Sequence, residues 1–276
     1  MRALLLAALL AAPAAAQEVC GRDGPACEID GGSYRVALPE GSATGPSVLF
    51  LHGFGGSARG ALGMTGVVEA VTARGYAMVA ADGVPREGGG GRRWNFLPEA
   101  QRARDRDEGA FLAAVMADAA ARYGLDPART LLAGFSAGGF TVHYIACEDP
   151  GAFAAYAPVA GAFWRPHPTA CAGPVRLLHT HGWRDRTVPL EGRPLGGGRY
   201  VQGDVWESLG LWREANGCGR DDPDGTRTTG RFLRRHWDCA EGSALEMALF
   251  DGGHGVPAGW ADMALDWFEA VTGEDG

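Results

Sequence analysis

The chain alternates short, nearly continuous apolar runs with longer segments of helical period. "SVLFLHG" (47–53), "YAMVAADG" (76–83), "TLLAGF" (130–135), "AAYAPVAG" (154–161), "VRLLHTHG" (175–182) and "ALEMALFDG" (244–252) are predicted strands. Between them, "ARGALGMTGVVEAVTARG" (58–75) is predicted as a helix ending at Gly75. "DEGAFLAAVMADAAARYG" (107–124) is amphipathic, with Phe111, Val115, Met116 and Ala119 on one side and Gly124 as its stop. "SAGGFTVHYIACE" (136–148), "DVWESLGLWREANG" (204–217) and "PAGWADMALDWFEAVTG" (257–273) complete the helices. Apolar strands alternating with helices predict an α/β fold: a mostly parallel sheet with helices on both faces. "REGGGGRRW" (86–94) and "RPLGGGRY" (193–200) are predicted flexible loops, and "GCGRDDPDGTRTTGRF" (217–232) a polar, turn-rich segment.

The N-terminus breaks the pattern. Arg2, the apolar "ALLLAALLAA" and the small residues of "APAAAQ" predict a signal peptide over residues 1–16, cleaved between Ala16 and Gln17. The apolar run is short for a membrane span, though an uncleaved anchor is the alternative. No later stretch is apolar and long enough to cross a membrane. Residues 17–276 are predicted as one catalytic domain, extracellular or periplasmic, with no membrane association in the mature form. No linker or appended polymer-binding module is expected.

Export changes how the six cysteines are read. In an oxidising compartment an even count favours disulfides. Several pairings are open; the favoured set is Cys20–Cys27, Cys147–Cys171 and Cys218–Cys239. No CxxC or CxxH spacing suggests zinc, so no metal is expected. A formal net charge of -8 argues against nucleic acid or anionic membrane as the main partner. All 25 basic residues are Arg, which composition bias explains without a functional reading.

The candidate chemistry begins in "LLAGFSAGGF" (131–140), where "GFSAG" fits G-x-S-x-G between a predicted strand and a predicted helix. A serine on such a turn is sharply bent, and bulky neighbours at Gly134 or Gly138 would clash. A new helix also points its first N–H groups at the site. The bland reading is a glycine-rich turn with an idle serine. Ser136 needs a base, and His254 in "LFDGGHGVP" lies in a loop after the last predicted strand. His52, His143, His167, His179 and His236 lack that setting. Asp185, just past "VRLLHTHG", is the candidate acid; Asp251 is its competitor, better suited to a turn or cap. The chain order Ser136, Asp185, His254 is that of α/β-hydrolases. The loop "HGFGGS" after the first long strand offers the backbone N–H of Phe54, which with that of Ala137 would hold an oxyanion. His52 is expected to brace this loop. Trp94 and Trp183 are candidates for walls of a substrate pocket, or else pack under loops.

"LHGFGGS", "GFSAGG", "ACEDPGAFAAYAPVAGA", "HGWRDRTVP" and "GGHGVP" together resemble the exported esterase/polyhydroxybutyrate-depolymerase family, which includes feruloyl and acetylxylan esterases. The resemblance runs from about Cys20 to the last helix. It implies an α/β-hydrolase fold and a cofactor-free serine-esterase mechanism, with Ser136, Asp185 and His254 in the roles above. Two departures stand out. Ala137 replaces the Asn or Gln that often follows the nucleophile, and "HGVP" lacks the Trp that often follows the histidine. The expected substrate is a small or oligomeric ester. A serine peptidase and a non-catalytic binding protein on the same fold are the alternatives.

Overall fold

The computed structural model describes residues 20–41, 45–97 and 105–273. The predicted signal peptide lies outside them. Strands β1 (Cys27–Ile29) and β2 (Gly32–Ala37) form a hairpin ahead of β3 (Gly45–Leu51). Helices α1 (Ala58–Leu62) and α2 (Thr65–Ala73) lead to β4 (Ala77–Ala81). A two-residue ladder, β5 (Val84–Pro85) with β6 (Arg92–Arg93), precedes α3 (Glu108–Tyr123). Then come β7 (Leu125–Phe135), α4 (Ala137–Glu148), β8 (Ala155–Val159) and β9 (Arg176–Gly182). The hairpin β10 (Arg193–Leu195) and β11 (Tyr200–Gln202) precedes α5 (Val205–Ala215). The hairpin β12 (Gly225–Thr229) and β13 (Phe232–Trp237), β14 (Ala244–Phe250) and α6 (Trp260–Thr272) complete the order.

Ten strands make one sheet in the order β1-β2-β4-β3-β7-β8-β9-β14-β13-β12. Neighbours from β4 to β14 run parallel; the strands outside them pair antiparallel. Alternate residues of each strand point to opposite faces. Leu49 and Leu51 therefore join a core with Phe111 of α3, Phe140 of α4 and Trp212 of α5. Val48 and Phe50 join one with Leu62 of α1, Val68 of α2 and Phe268 of α6. The α/β-hydrolase architecture read from the sequence is the one observed. The three disulfides Cys20–Cys27, Cys147–Cys171 and Cys218–Cys239 are present. No helix among the described residues is long and apolar enough to cross a membrane.

Several elements differ from the expectation. The helix over 58–75 is two, because Met64 leaves helical geometry (ψ 73°) after Gly63, a poor helix former. The three segments read as loops or turns contain hairpins. In "RPLGGGRY" the glycines form only the tip, and Arg193–Leu195 pairs with Tyr200–Gln202. The glycines of "REGGGGRRW" likewise close a hairpin, in which Val84–Pro85, just ahead of that segment, pairs with Arg92–Arg93. Strands β12 and β13 extend the main sheet even though they are arginine-rich. At this antiparallel edge β13 is only half covered: Phe232, Arg234 and Trp237 are buried, and the residues between them are partly exposed.

Candidate active site

Ser136 sits where β7 turns into α4, with φ 56° and ψ −114°. Few non-glycine residues adopt positive φ, and such strain persists only where the surroundings impose it. Its N–H donates to the carbonyl of Val159 (2.9 Å), and its carbonyl accepts from the N–H of Phe140 (2.9 Å). The flanking glycines are sterically required. A Cβ on Gly138 would lie 2.2 Å from the carbonyl oxygen of Leu51, and one on Gly134 would lie 2.6 Å from the carbonyl carbon of Gly138.

His254 reaches Ser136 from the loop after β14. Its Nε2 is 2.9 Å from Ser136 Oγ. Its Nδ1 is 2.7 Å from Asp185 Oδ2. A carboxylate only accepts, so Nδ1 carries the proton and Nε2 offers its lone pair to the serine hydroxyl. The other oxygen, Asp185 Oδ1, accepts the N–H groups of Thr187 (2.8 Å) and Val188 (2.9 Å). Burial pushes the Asp185 carboxyl upward, but the hydrogen bond from His254 and those backbone N–H groups outweigh it, and the net direction is downward. The competitor Asp251 is turned elsewhere: it pairs with Arg184 (2.7 Å) and accepts from Trp183 Nε1 (3.1 Å).

The loop after β3 is braced from three sides. The N–H of Gly83 donates to His52 Nε2 (3.0 Å), so His52 Nδ1 carries the proton and donates to the Gly53 carbonyl (2.7 Å). Trp94 Nε1 donates to the His52 carbonyl (2.8 Å). Beyond the brace, the Phe54 N–H is used by no backbone carbonyl among the described residues, nor is that of Ala137, the first residue of α4. The Phe54 side chain is 64% exposed, with the Arg86 guanidinium 4.3 Å above its ring. This arrangement is chemically equipped to draw a proton from Ser136 and to meet a developing oxyanion with backbone donors.

Comparison with known proteins gives the family. The model of the family described as "Putative esterase" matches residues 32–273. The chain belongs to this esterase family. It is similar to the Putative esterase NocK of Nocardia uniformis subsp. tsuyamanensis, 36% identical over 161 residues. That match covers 56% of this chain and 44% of NocK, so the chain spans less than half of that relative's length. An acetyl xylan esterase from Aspergillus awamori superposes with a TM-score of 0.63 at 15% identity, over 86% of this chain and 94% of that one. The Bacillus cereus carboxylesterase gives 0.58 at 16% identity, over 88% and 95%. A carboxylesterase from Mesorhizobium loti gives 0.56 at 19% identity, over 88% and 97%. At these identities the structures show a shared fold.

In this esterase-family chain, Ser136 opens into a cavity of about 370 Å³. Phe54, Trp94, Phe96, Phe140, Trp164 and Tyr200 supply its aromatic lining. Trp94 lines this cavity, and its Nε1–H donates to the His52 carbonyl of the loop after β3. Trp183 does not wall this cavity: it is 48% exposed, held over the surface by its bond to Asp251. Residues that the motifs did not single out make up most of the wall. Phe140 lies one turn beyond Ser136 on α4, a signal available in the sequence. Tyr200, Leu195 and Gln202 come from the β10–β11 hairpin, which the sequence disguised as a loop. A larger groove, about 730 Å³ and formed by β12, β13, β14 and α6, is lined by none of Ser136, Asp185, His254, Phe54, Ala137, Trp94 or Trp183.

Proposed function

We propose that the chain is an exported serine esterase acting on carboxylic esters, with Ser136 as nucleophile, His254 as general base and Asp185 as its orienting acid. The observation that carries this reading is the unbroken contact from Ser136 Oγ through His254 to Asp185, at 2.9 and 2.7 Å. Ser136 attacks the ester carbonyl as His254 Nε2 takes its proton. The tetrahedral oxyanion is met by the N–H groups of Phe54 and Ala137. His254 returns the proton to the leaving alcohol, and water, activated by the same imidazole, releases the acid. Asp185 stays ionised throughout and stabilises the imidazolium.

Three disulfides and the N-terminal leader pattern support export to an oxidising compartment. The aromatic cavity favours esters with an apolar or aromatic group larger than acetyl. This fits the resemblance to feruloyl esterases and polyhydroxybutyrate depolymerases.

The test is a hydrolysis panel: nitrophenyl esters of increasing acyl length, methyl ferulate, acetylated xylan, hydroxybutyrate oligomers and a peptide anilide. Ester turnover should exceed anilide turnover, and Ser136→Ala should abolish both with an unchanged circular dichroism spectrum. Fluorophosphonate labelling should mark Ser136 alone. Wild-type turnover in Ser136→Ala, or absence of labelling, would remove the assignment.

A further inference from the structure

Behind Asp185 lies a line of three buried histidines that the proposed mechanism does not use. Trp212 Nε1 on α5 is 2.9 Å from His143 Nδ1 on α4. His143 Nε2 is 3.1 Å from His179 Nδ1 on β9. His179 Nε2 is 3.0 Å from His181 Nδ1, two residues along the same face of β9. His181 Nε2 is 2.8 Å from the carbonyl oxygen of Val188. Both ends are chemically one-directional. An indole N–H only donates and a carbonyl oxygen only accepts. Trp212 therefore makes His143 Nδ1 an acceptor, which leaves its proton on Nε2 for His179. The same step repeats at His179 and at His181, where the Nε2–H reaches Val188. Every bond points from α5 toward the acid loop, and each ring is a neutral, Nε2-protonated tautomer.

The chain ends against the machinery proposed above. Val188 gives its N–H to Asp185 Oδ1 and its carbonyl to His181, so one residue is held from both sides. His181 Nε2 also stands 3.6 Å from Asp185 Oδ2, the oxygen that accepts from His254. A protonated His181 would be a second imidazolium beside that carboxylate and would compete with His254 for it. We propose that Trp212, His143, His179 and His181 form a tautomer-locked positioning chain that fixes the loop 185–188 and reserves Asp185 for His254.

The surroundings agree with neutral rings. Burial lowers the pKa of His143, to about 3, of His179 to well below the ordinary value, and of His181. The upward pulls at His181, from the Val188 carbonyl, Asp185 and Glu191, and the downward pull of His254, leave it below normal. At His143 the Gly161 carbonyl pulls upward and the Phe163 ring packs edge-on, 5.3 Å away.

The inference rests on the triad reading, and its experiment separates the two. In protein labelled with 15N-histidine, NMR should show three histidines protonated at Nε2 and bare at Nδ1, unchanged from about pH 8 to about pH 5, across the ordinary histidine range. An Nδ1–H tautomer or a titration among the three overturns the chain, whatever the enzyme does. His181→Leu removes the donor to Val188, whereas His181→Gln places an amide N–H in its stead. Leu should lower kcat by about tenfold, the scale of one lost hydrogen bond, with KM changed less than about twofold and the acid limb of the kcat–pH profile displaced. Gln should recover most of kcat and the wild-type profile. A Leu variant with wild-type kcat and profile, or a folded Gln variant no better than Leu, overturns the positioning role. If Leu does not fold, the NMR readout and the Gln profile still decide. Failure of the wild-type protein to label at Ser136 would overturn the triad reading, and with it the catalytic purpose of the chain, while leaving the tautomers as measured.

Discussion

A methyl group at Gly138 would lie 2.2 Å from the carbonyl oxygen of Leu51, so Gly138→Ala must displace either β3 or the start of α4. The loop that follows β3 carries Phe54, and α4 begins at Ala137, so either shift moves a proposed oxyanion donor. The expected cost is about 1–3 kcal/mol of stability, the range for overpacking, read from urea unfolding, together with a fall in kcat. Unchanged values for both would show that the turn has slack. At Asp185 the prediction is chemical. Asn puts an amide N–H where His254 Nδ1–H needs an acceptor, reversing the imidazole's orientation or tautomer. If Asp185 is the proposed acid, Asp185→Asn should cut kcat by roughly 10³–10⁴ with the fold retained, the effect of that change in Ser-His-Asp triads; a drop of less than about tenfold would remove the acid from the mechanism. The sequence already pointed to both residues: a tight strand–turn–helix leaves its mark in the letters around Gly138, and Asp185 stands just past an apolar strand run, in chain order between Ser136 and His254. It gave no such mark for His181, whose part depends on His143 and Trp212, far away in sequence.

At the scale of elements, the β10–β11 hairpin separates what was legible from what was not. Its glycine tip resembles a flexible loop, yet its short strands supply Leu195, Tyr200 and Gln202 to the cavity beside Ser136. Tyr200 packs edge-on against Trp164, with ring centroids 6.3 Å apart. Tyr200→Ala opens that wall without touching Ser136, Asp185 or His254. KM for bulky or aromatic esters should rise severalfold, by about 1 kcal/mol of lost packing, while acetyl-ester kinetics stay the same. Equal changes for both substrates would place the hairpin outside substrate recognition. The long helices and the central strands were readable because their burial pattern is strong and local. The division of residues 58–75 into α1 and α2 was not, since one residue leaving helical geometry is enough to end a helix without altering the apolar period.

At the scale of the whole molecule, four buried histidines among the described residues have a pKa that burial lowers: His52, His143, His179 and His181. On unfolding, each returns to an ordinary value of about 6.5. Below that pH the unfolded chain binds protons that the folded chain refuses, so stability is fully present above about 6.5 and falls as pH drops toward the folded values. Asp185, whose folded pKa is depressed, adds to the loss only lower, as pH falls below the ordinary carboxylate value of about 3.9. Unfolding free energy should therefore decline steeply between about pH 6.5 and pH 4, by up to about 1.4 kcal/mol per pH unit for each proton taken up. Calorimetry across that range checks it. A flat profile from pH 7 to pH 5 (approximate limits taken from the ordinary histidine range) would mean that the histidines are not held neutral.

The sequence by itself determined the strand–helix alternation, the bent turn at Ser136, the order of Ser136, Asp185 and His254, and the cysteine set from which three bridges form. These follow from side-chain period, glycine sterics and residue chemistry, which act over a few neighbouring positions. Tertiary structure alone decided which aromatic residues wall the cavity, that Trp183 stands outside it, and that three histidines share one direction of hydrogen bonding. Those features depend on how closely α4, α5, β9 and the β10–β11 hairpin approach one another. That approach is set by the order of strands in the sheet and the packing of helices upon it, neither of which is written in any single stretch of the chain.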